Sequence, residues 1–370
     1  MKRAAPLVFL AVCLHPAIVF AQSQWSKQLT PSTGWVAEDN KLFWTTDSGE
    51  NWKNIRPPQT GQLSAVFFLD TSRGFAVVSK YNDEPIGEGV QRDTNDFWLC
   101  TTNDAGSNWS SHRIMMPEWA APEAILLDNA YAHFWDMLHG IVAIDGGGLV
   151  LTNDGGETWH WADSPGFGSM VFTSRLDGWL RGESAKFEYN GQLFVTHDGA
   201  QHWQQVNLPM PERARYHYSL PFFTDKRHGF LTVSGSGPGL DSITLFSSTN
   251  GGGAWKRGAT LPLDLHTAFT AVGTEWREAK LANGRLSVTA LSSTSPPSGG
   301  GIVDERFRMI ESFDMLDAAN GWAVVEANGR TQLLSTSDAG RTWKNISPFK
   351  MAPAGASTTS PLIWKKPTGH

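Results

Sequence analysis

Cysteine is nearly absent: the 370 residues hold two, Cys13 and Cys100. Cys13 falls in an apolar leader, so one thiol is left to the mature chain and an internal disulfide framework is excluded. Cys100, inside Phe97-Trp98-Leu99-Cys100, reads as a buried strand thiol rather than a nucleophile. There is no Gly-x-Ser-x-Gly elbow, no His-Glu-x-x-His pair and no EF-hand loop, which removes the common signatures of serine hydrolases, zinc peptidases and calcium sensors. The 11 His are scattered, so no metal or cofactor is expected. No apolar run after residue 21 approaches bilayer length, which excludes a helical span. Basic residues are outnumbered, 30 against 36, and nothing suggests nucleic acid.

The N-terminus combines Met1-Lys2-Arg3 with a short apolar stretch and Val19-Phe20-Ala21, the pattern of an export signal over residues 1–21. A lipoprotein reading through Leu10-Ala11-Val12-Cys13 is the weaker alternative. Without residues 1–21 the chain carries 28 Lys and Arg against 36 Asp and Glu, a formal charge of −8. The expected location is periplasmic or extracellular.

Aromatic residues are plentiful, with 17 Trp and 20 Phe, and six of the Trp close one recurring phrase. Written Ser/Thr-x-Asp-x-Gly-x-x-Trp, it spans Thr45 to Trp52, Thr102 to Trp109, Thr152 to Trp159 and Thr336 to Trp343. Looser copies run from Thr196 to Trp203 and from Ser248 to Trp255. Apolar runs such as Gly148-Leu149-Val150-Leu151 precede the phrase and another strand-like run comes after it, so it reads as a hairpin turn. Its carboxylate and hydroxyl can accept backbone N–H bonds, and its Gly supplies a position of positive φ. Asp47, Asp104, Asp154, Asp198, Asn250 and Asp338 are therefore expected to lock turns. Trp52, Trp109, Trp159, Trp203, Trp255 and Trp343 are expected to bury against the neighbouring repeat.

The phrase resembles the Asp-box, or BNR repeat, of sialidases and related β-propellers, and the resemblance implies that each box joins the outer two strands of a four-stranded blade. Box starts at 45, 102, 152, 196, 248 and 336 leave one double-length step, which hides a blade with a degenerate turn near Ser292. The expectation is an all-β, seven-bladed propeller over 22–348, with a tail, 349–370, that is partly disordered or pairs a short apolar piece with an outer edge. The blades read as 24–57, 62–115, 123–163, 168–209, 218–262, 266–309 and 310–348, with Gly301 to Phe307 as the outer strand of the sixth. Gly321-Trp322-Ala323-Val324-Val325 ahead of the last box is similar to the repeat of photosystem II stability/assembly factor-like propellers. That likeness is specific for fold and weak for function.

Boxes and one-to-two turns should share one face, leaving the opposite face to the two-to-three loops and the blade connections. The longest such loop, Lys80 to Asp96, is acidic around Arg92. A second cluster joins Arg181, Glu183, Glu188 and Tyr189 to Arg213, Arg215, Tyr216, His217 and Tyr218, an Arg/Tyr surface suited to a protein or glycan. Loop Arg and Glu residues that merely neutralise one another are the plainer reading. Sialidase resemblance would imply an Arg triad opening on an Arg-Ile-Pro-type motif; Arg56-Pro57-Pro58, the early Arg-Pro pair, falls after the first box. Other glycosidase chemistry needs two carboxylates, and Glu118, Glu183, Glu188, Glu275 and Asp304 are conceivable. The sequence thus favours an exported, monomeric, non-catalytic binding or assembly scaffold, with a carbohydrate-active hydrolase as the alternative.

Overall fold

The structure, a computed structural model, describes residues 25–85, 91–115, 130–144, 148–165, 169–182, 192–211, 215–236, 241–292, 304 and 306–348. Seven antiparallel sheets succeed one another along the chain, each built from one contiguous stretch. The first is Ser26–Gln28, Gly34–Glu38, Lys41–Thr45 and Lys53–Asn54, and the last is Phe307–Met315, Gly321–Ala327, Arg330–Thr336 and Lys344–Asn345. This is a seven-bladed β-propeller, and the described residues include no helix.

Blade 6 departs from the expected pattern. Its described strands are Thr267–Val272, Glu275–Ala282 and Arg285–Ala290. Phe307, read from sequence as the end of its outer strand, instead opens the innermost strand of blade 7, where it pairs with Ala327. Spacing alone misplaces this apolar run, because no box marks the preceding hairpin. Residues 301–303, the leader and the tail lie outside the described residues.

A glycine begins the second strand of nearly every blade, and the reason is space. A Cβ on Gly74, Gly140 or Gly178 would sit 2.1–2.4 Å from the ring of Phe68, Phe134 or Phe172, the aromatic residue that ends the preceding strand. Freed of that clash, aromatic rings fill the seams between blades. Trp44 packs on Phe68 at 4.7 Å, Phe75 stacks on Phe134 at 3.6 Å, Trp179 meets Phe223 at 4.7 Å and Phe230 meets Trp276 at 5.1 Å. Such pairs add about 0.5–1.5 kcal/mol each beyond the burial of their surface. Cys100 is fully buried in this packing; burial pushes its thiol up, as expected of an inert strand cysteine.

Candidate functional site

All six boxes are built alike. The Ser/Thr hydroxyl donates to the Asp or Asn oxygen two residues on at 2.9 Å and accepts the N–H four residues on at 2.8–3.0 Å. The same oxygen of the acid or amide accepts the N–H of the residue before the Trp at 2.8–2.9 Å. These bonds hold the Asp154 carboxyl at about 2, with the Thr158 side chain and then its N–H as the largest causes. Two adjacent residues have positive φ in each box, for example Ser48 at 59° and Gly49 at 84°, where the sequence suggested one. The first of the two donates its N–H to the one-to-two turn of its own blade, as Ala105 does to Ser72 and Gly155 to Leu138. Boxes and one-to-two turns therefore share a face, and the opposite face is left for the two-to-three hairpins.

On that opposite face, the stretch expected as a loop at 80–96 is largely strand. Gly74–Pro85 and Gln91–Thr102 stay paired from Gly74↔Thr102 out to Pro85↔Gln91. The flanking strands stop earlier: the inner one is paired only as far as Ser79, the outer one as far as Phe97. Positions 80–85 and 91–96 thus form a two-stranded ribbon beyond the sheet, about 20 Å long at 3.4 Å per residue. Asp83 stands opposite Asp93 in its register, and Glu84 opposite Arg92. Alternation of charged and polar residues hid the strand from the sequence reading, because neither face of the ribbon is apolar.

Of the Arg/Tyr cluster, the described side chains are those of Arg181, Tyr216, His217 and Tyr218. Arg181 lies in the strand Gly178–Gly182, on the side of that sheet that presents Trp179 and Leu193 to blade 5. Residues 215–218, expected as a loop, form the innermost strand of blade 5, with Tyr216 and Tyr218 packed in the same seam. The expected surface is therefore not a single loop cluster: Tyr216 and Tyr218 are drawn into the seam, because Tyr alternating with His gives a strand one buried side. The Tyr216 hydroxyl donates to the Pro211 carbonyl at 2.7 Å, and burial pushes both phenols up. Arg257, which the sequence reading missed, adds a positive charge near Tyr216. The His217 carbonyl accepts the Ser234 hydroxyl at 3.4 Å. Glu183, Glu188, Tyr189 and Arg213 lie outside the described residues, as does the side chain of Arg215.

Other acids considered for hydrolysis are engaged. Glu275 is paired with Arg277 and accepts from Ser292, which lowers its carboxyl. Asp304 is held by Arg306 through two nitrogens at 2.7 and 2.8 Å and is also lowered. Glu118 lies outside the described residues. Arg56 is likewise occupied: its guanidinium donates to the carbonyls of Pro57, Gln59 and Gly61 at 2.7–2.9 Å, stapling the connection from blade 1 to blade 2. No group of three or more His, Cys, Asp or Glu placed to hold a metal ion occurs among the described residues.

No family model and no curated protein matches the sequence. Solved propellers do. The chain is similar to YCF48, a photosystem II assembly factor, in a structure of YCF48 bound to D1 peptide, at 14% identity over 89% of this chain and 87% of that one, TM-score 0.42. YCF48 from Cyanidioschyzon merolae is 16% identical over 90% and 84%, TM-score 0.38. The GH74 xyloglucanase from Xanthomonas campestris is 13% identical over 89% of this chain and 44% of that one, TM-score 0.43. At such identities the likeness is one of fold. The photosystem II factor type suggested by the Gly-Trp strand and the box is among these neighbours.

Proposed function

We propose that this propeller is an exported, non-catalytic scaffold that holds a polypeptide partner on the face opposite its boxes. The observation that carries the reading is the ribbon of 80–85 and 91–95, whose edges, among the described residues, are not laddered to the flanking strands of blade 2. Unpaired strand edges offer main-chain donors and acceptors to an added strand, the mode by which sheet edges take up extended peptides. A two-stranded ribbon is at best marginally stable by itself, so a partner that pairs with it contributes order as well as affinity. The stretch Lys80 to Asp96 holds five acids against Lys80 and Arg92, which favours a basic segment in the partner. Boxes and seams supply the rigid frame for this arm.

The test replaces residues 81–95 by Asn-Gly, closing the hairpin at the level of Lys80 and Asp96. Pull-downs from envelope extract then compare the two chains, alongside a polysaccharide-turnover assay on the wild type. The expected result is a defined protein captured by the wild type and lost with the ribbon, at an unchanged melting temperature. Equal capture by both chains, or turnover of a polysaccharide, overturns the proposal. If capture is equal, Arg213→Ala with Arg215→Ala examines the other surface indicated by the sequence.

A further inference from the structure

Six of the seven seams are crossed by the chain as it passes from blade to blade. The seam between blades 7 and 1 is not, because each of those sheets is one contiguous stretch and no strand is exchanged. Among the described residues, closure of the ring rests on side chains. Near the box face these are complementary: Trp52 donates to the Ile346 carbonyl, Lys27 meets Asp314 at 2.6 Å, and Lys344 pairs with Glu50.

At the other end of the same seam the groups are acids. Glu38 ends the strand Gly34–Glu38, two residues beyond Val36, which packs on Trp322 and Val324 of blade 7. Glu326 lies two residues beyond Val324 on that same side of blade 7. Glu311 is the extra residue at a bulge between Ile310 and Ser312 in the innermost strand of blade 7. Bulges re-aim side chains, and this one brings the Glu311 carboxylate to 3.5 Å from the Thr331 hydroxyl and close enough to Glu38 to raise it. Glu38 Oε2 is buried without a hydrogen-bond partner. The charged groups acting on the pair are Asp39 and Lys41 from the hairpin of Glu38, and Glu326 from blade 7, whose carboxylate accepts the Gly329 N–H. Arg330, beside Thr331, occupies the opposite side of its strand by alternation. Arg308, at the adjoining bulge of the innermost strand, donates to the Phe307 carbonyl at 3.4 Å, and Lys41 is the cation that acts on Glu38.

We propose that Glu38 and Glu311 form a proton-dependent latch on the closing seam, shut when the pair is protonated and loosened when both carboxylates ionise. Burial first, and then the neighbouring acids, push both carboxyls to about 7 from an ordinary 4.5. A carboxyl raised in the fold contributes stability that is complete below about 4.5 and is lost as pH rises through about 7. The latch therefore responds across the neutral range, and it acts on the one seam without a covalent link.

The test measures melting temperature at pH 5.5 and pH 8 for the wild type, Glu38→Gln and Glu311→Gln, together with hydrogen exchange corrected for intrinsic rate. Each glutamine, which keeps the shape and cannot ionise, is expected to raise the melting temperature at pH 8 by several degrees and to change it little at pH 5.5. Raising the pH of the wild type is expected to speed exchange at 34–38 and 322–326 relative to blade 4, and either substitution is expected to abolish that difference. Equal effects at both pH values, no gain at pH 8, or a uniform change of exchange around the ring overturns the proposal.

Discussion

The Trp52 indole donates its N–H to the carbonyl of Ile346 at 2.7 Å, joining residues 294 apart in the chain. Trp109 repeats the contact one seam on, donating to Ile55 at 2.8 Å. Ile55 and Ile346 hold the same place in their blades, just after the outer strand. Trp52 and Trp109 are thus bolts into the preceding blade, and in blade 1 the bolt closes the ring; Trp159 instead donates to Gly156 of its own box at 3.1 Å.

Trp52→Phe and Trp109→Phe each remove one such bond while keeping a ring in place. The loss should be about 1 kcal/mol for the bond, plus a smaller packing term. Denaturant titration checks the equilibrium cost. Local exchange is expected to rise more at the seam of blades 7 and 1 in Trp52→Phe than at the seam of blades 1 and 2 in Trp109→Phe, because only the second seam keeps its chain connection. Equal local exchange would show that the connection does not matter.

Asp154 is a turn lock, so Asp154→Ala should lower the melting temperature and Asp154→Asn should lower it much less. Asn250 already fills this role in blade 5, accepting the Ser248 hydroxyl and the Ala254 N–H at 2.9 Å each. Partner capture by Asp154→Ala should match the wild type below its melting point. Lost capture at an unchanged melting temperature would identify the box as a site.

Gly340 and Gly329 both have positive φ, 80° and 71°. A Cβ at Gly340 would stand 2.5 Å from Val288 of blade 6, whereas nothing lies within 4 Å of one at Gly329. Gly329→Ala should cost about 1 kcal/mol, the left-handed strain less the gain from a stiffer unfolded chain. Gly340→Ala should cost about 2–4 kcal/mol, since the seam must move as well. Urea titrations that gave equal losses would rule out the seam contact as the reason.

His133 is half-buried among Phe67 at 5.0 Å and Trp135 and Phe172 at 5.8 Å, and desolvation there pulls its imidazole down to about 4. A cationic group depressed in the fold contributes stability that is full above its ordinary 6.5 and is lost as pH falls from there toward 4. His133→Phe should therefore flatten the acid limb of the melting temperature between pH 6.5 and 4.5 and leave values above pH 7 nearly unchanged. An unaltered acid limb would place the responsible protonation elsewhere. This slope is opposite in sign to that of Glu38 and Glu311, so the two titrations are separable by their variants.

Blade number, box geometry and the strand order around each box were legible because they depend on near neighbours. Thr152, Asp154, Gly156 and Trp159 lie within eight residues, and hydroxyl, carboxylate and glycine act on the backbone between them. Even the degenerate copy with Ala200 in the glycine position keeps its bonds, at the cost of a φ of 70°. The candidate sites were less legible. Tyr216 and Tyr218 read as a loop because the run Arg215 to Tyr218 is short and holds no aliphatic residue, yet packing against Trp179 and Leu193 makes it the inner strand of blade 5. The repeated hairpin is dictated by the order of residues alone, since its turn chemistry is local. Curvature of the sheets into a closed ring decided which residues, distant in the chain, share a seam: the carbonyl that receives the Trp52 indole, and the Glu311 charge that acts on half-buried Glu38.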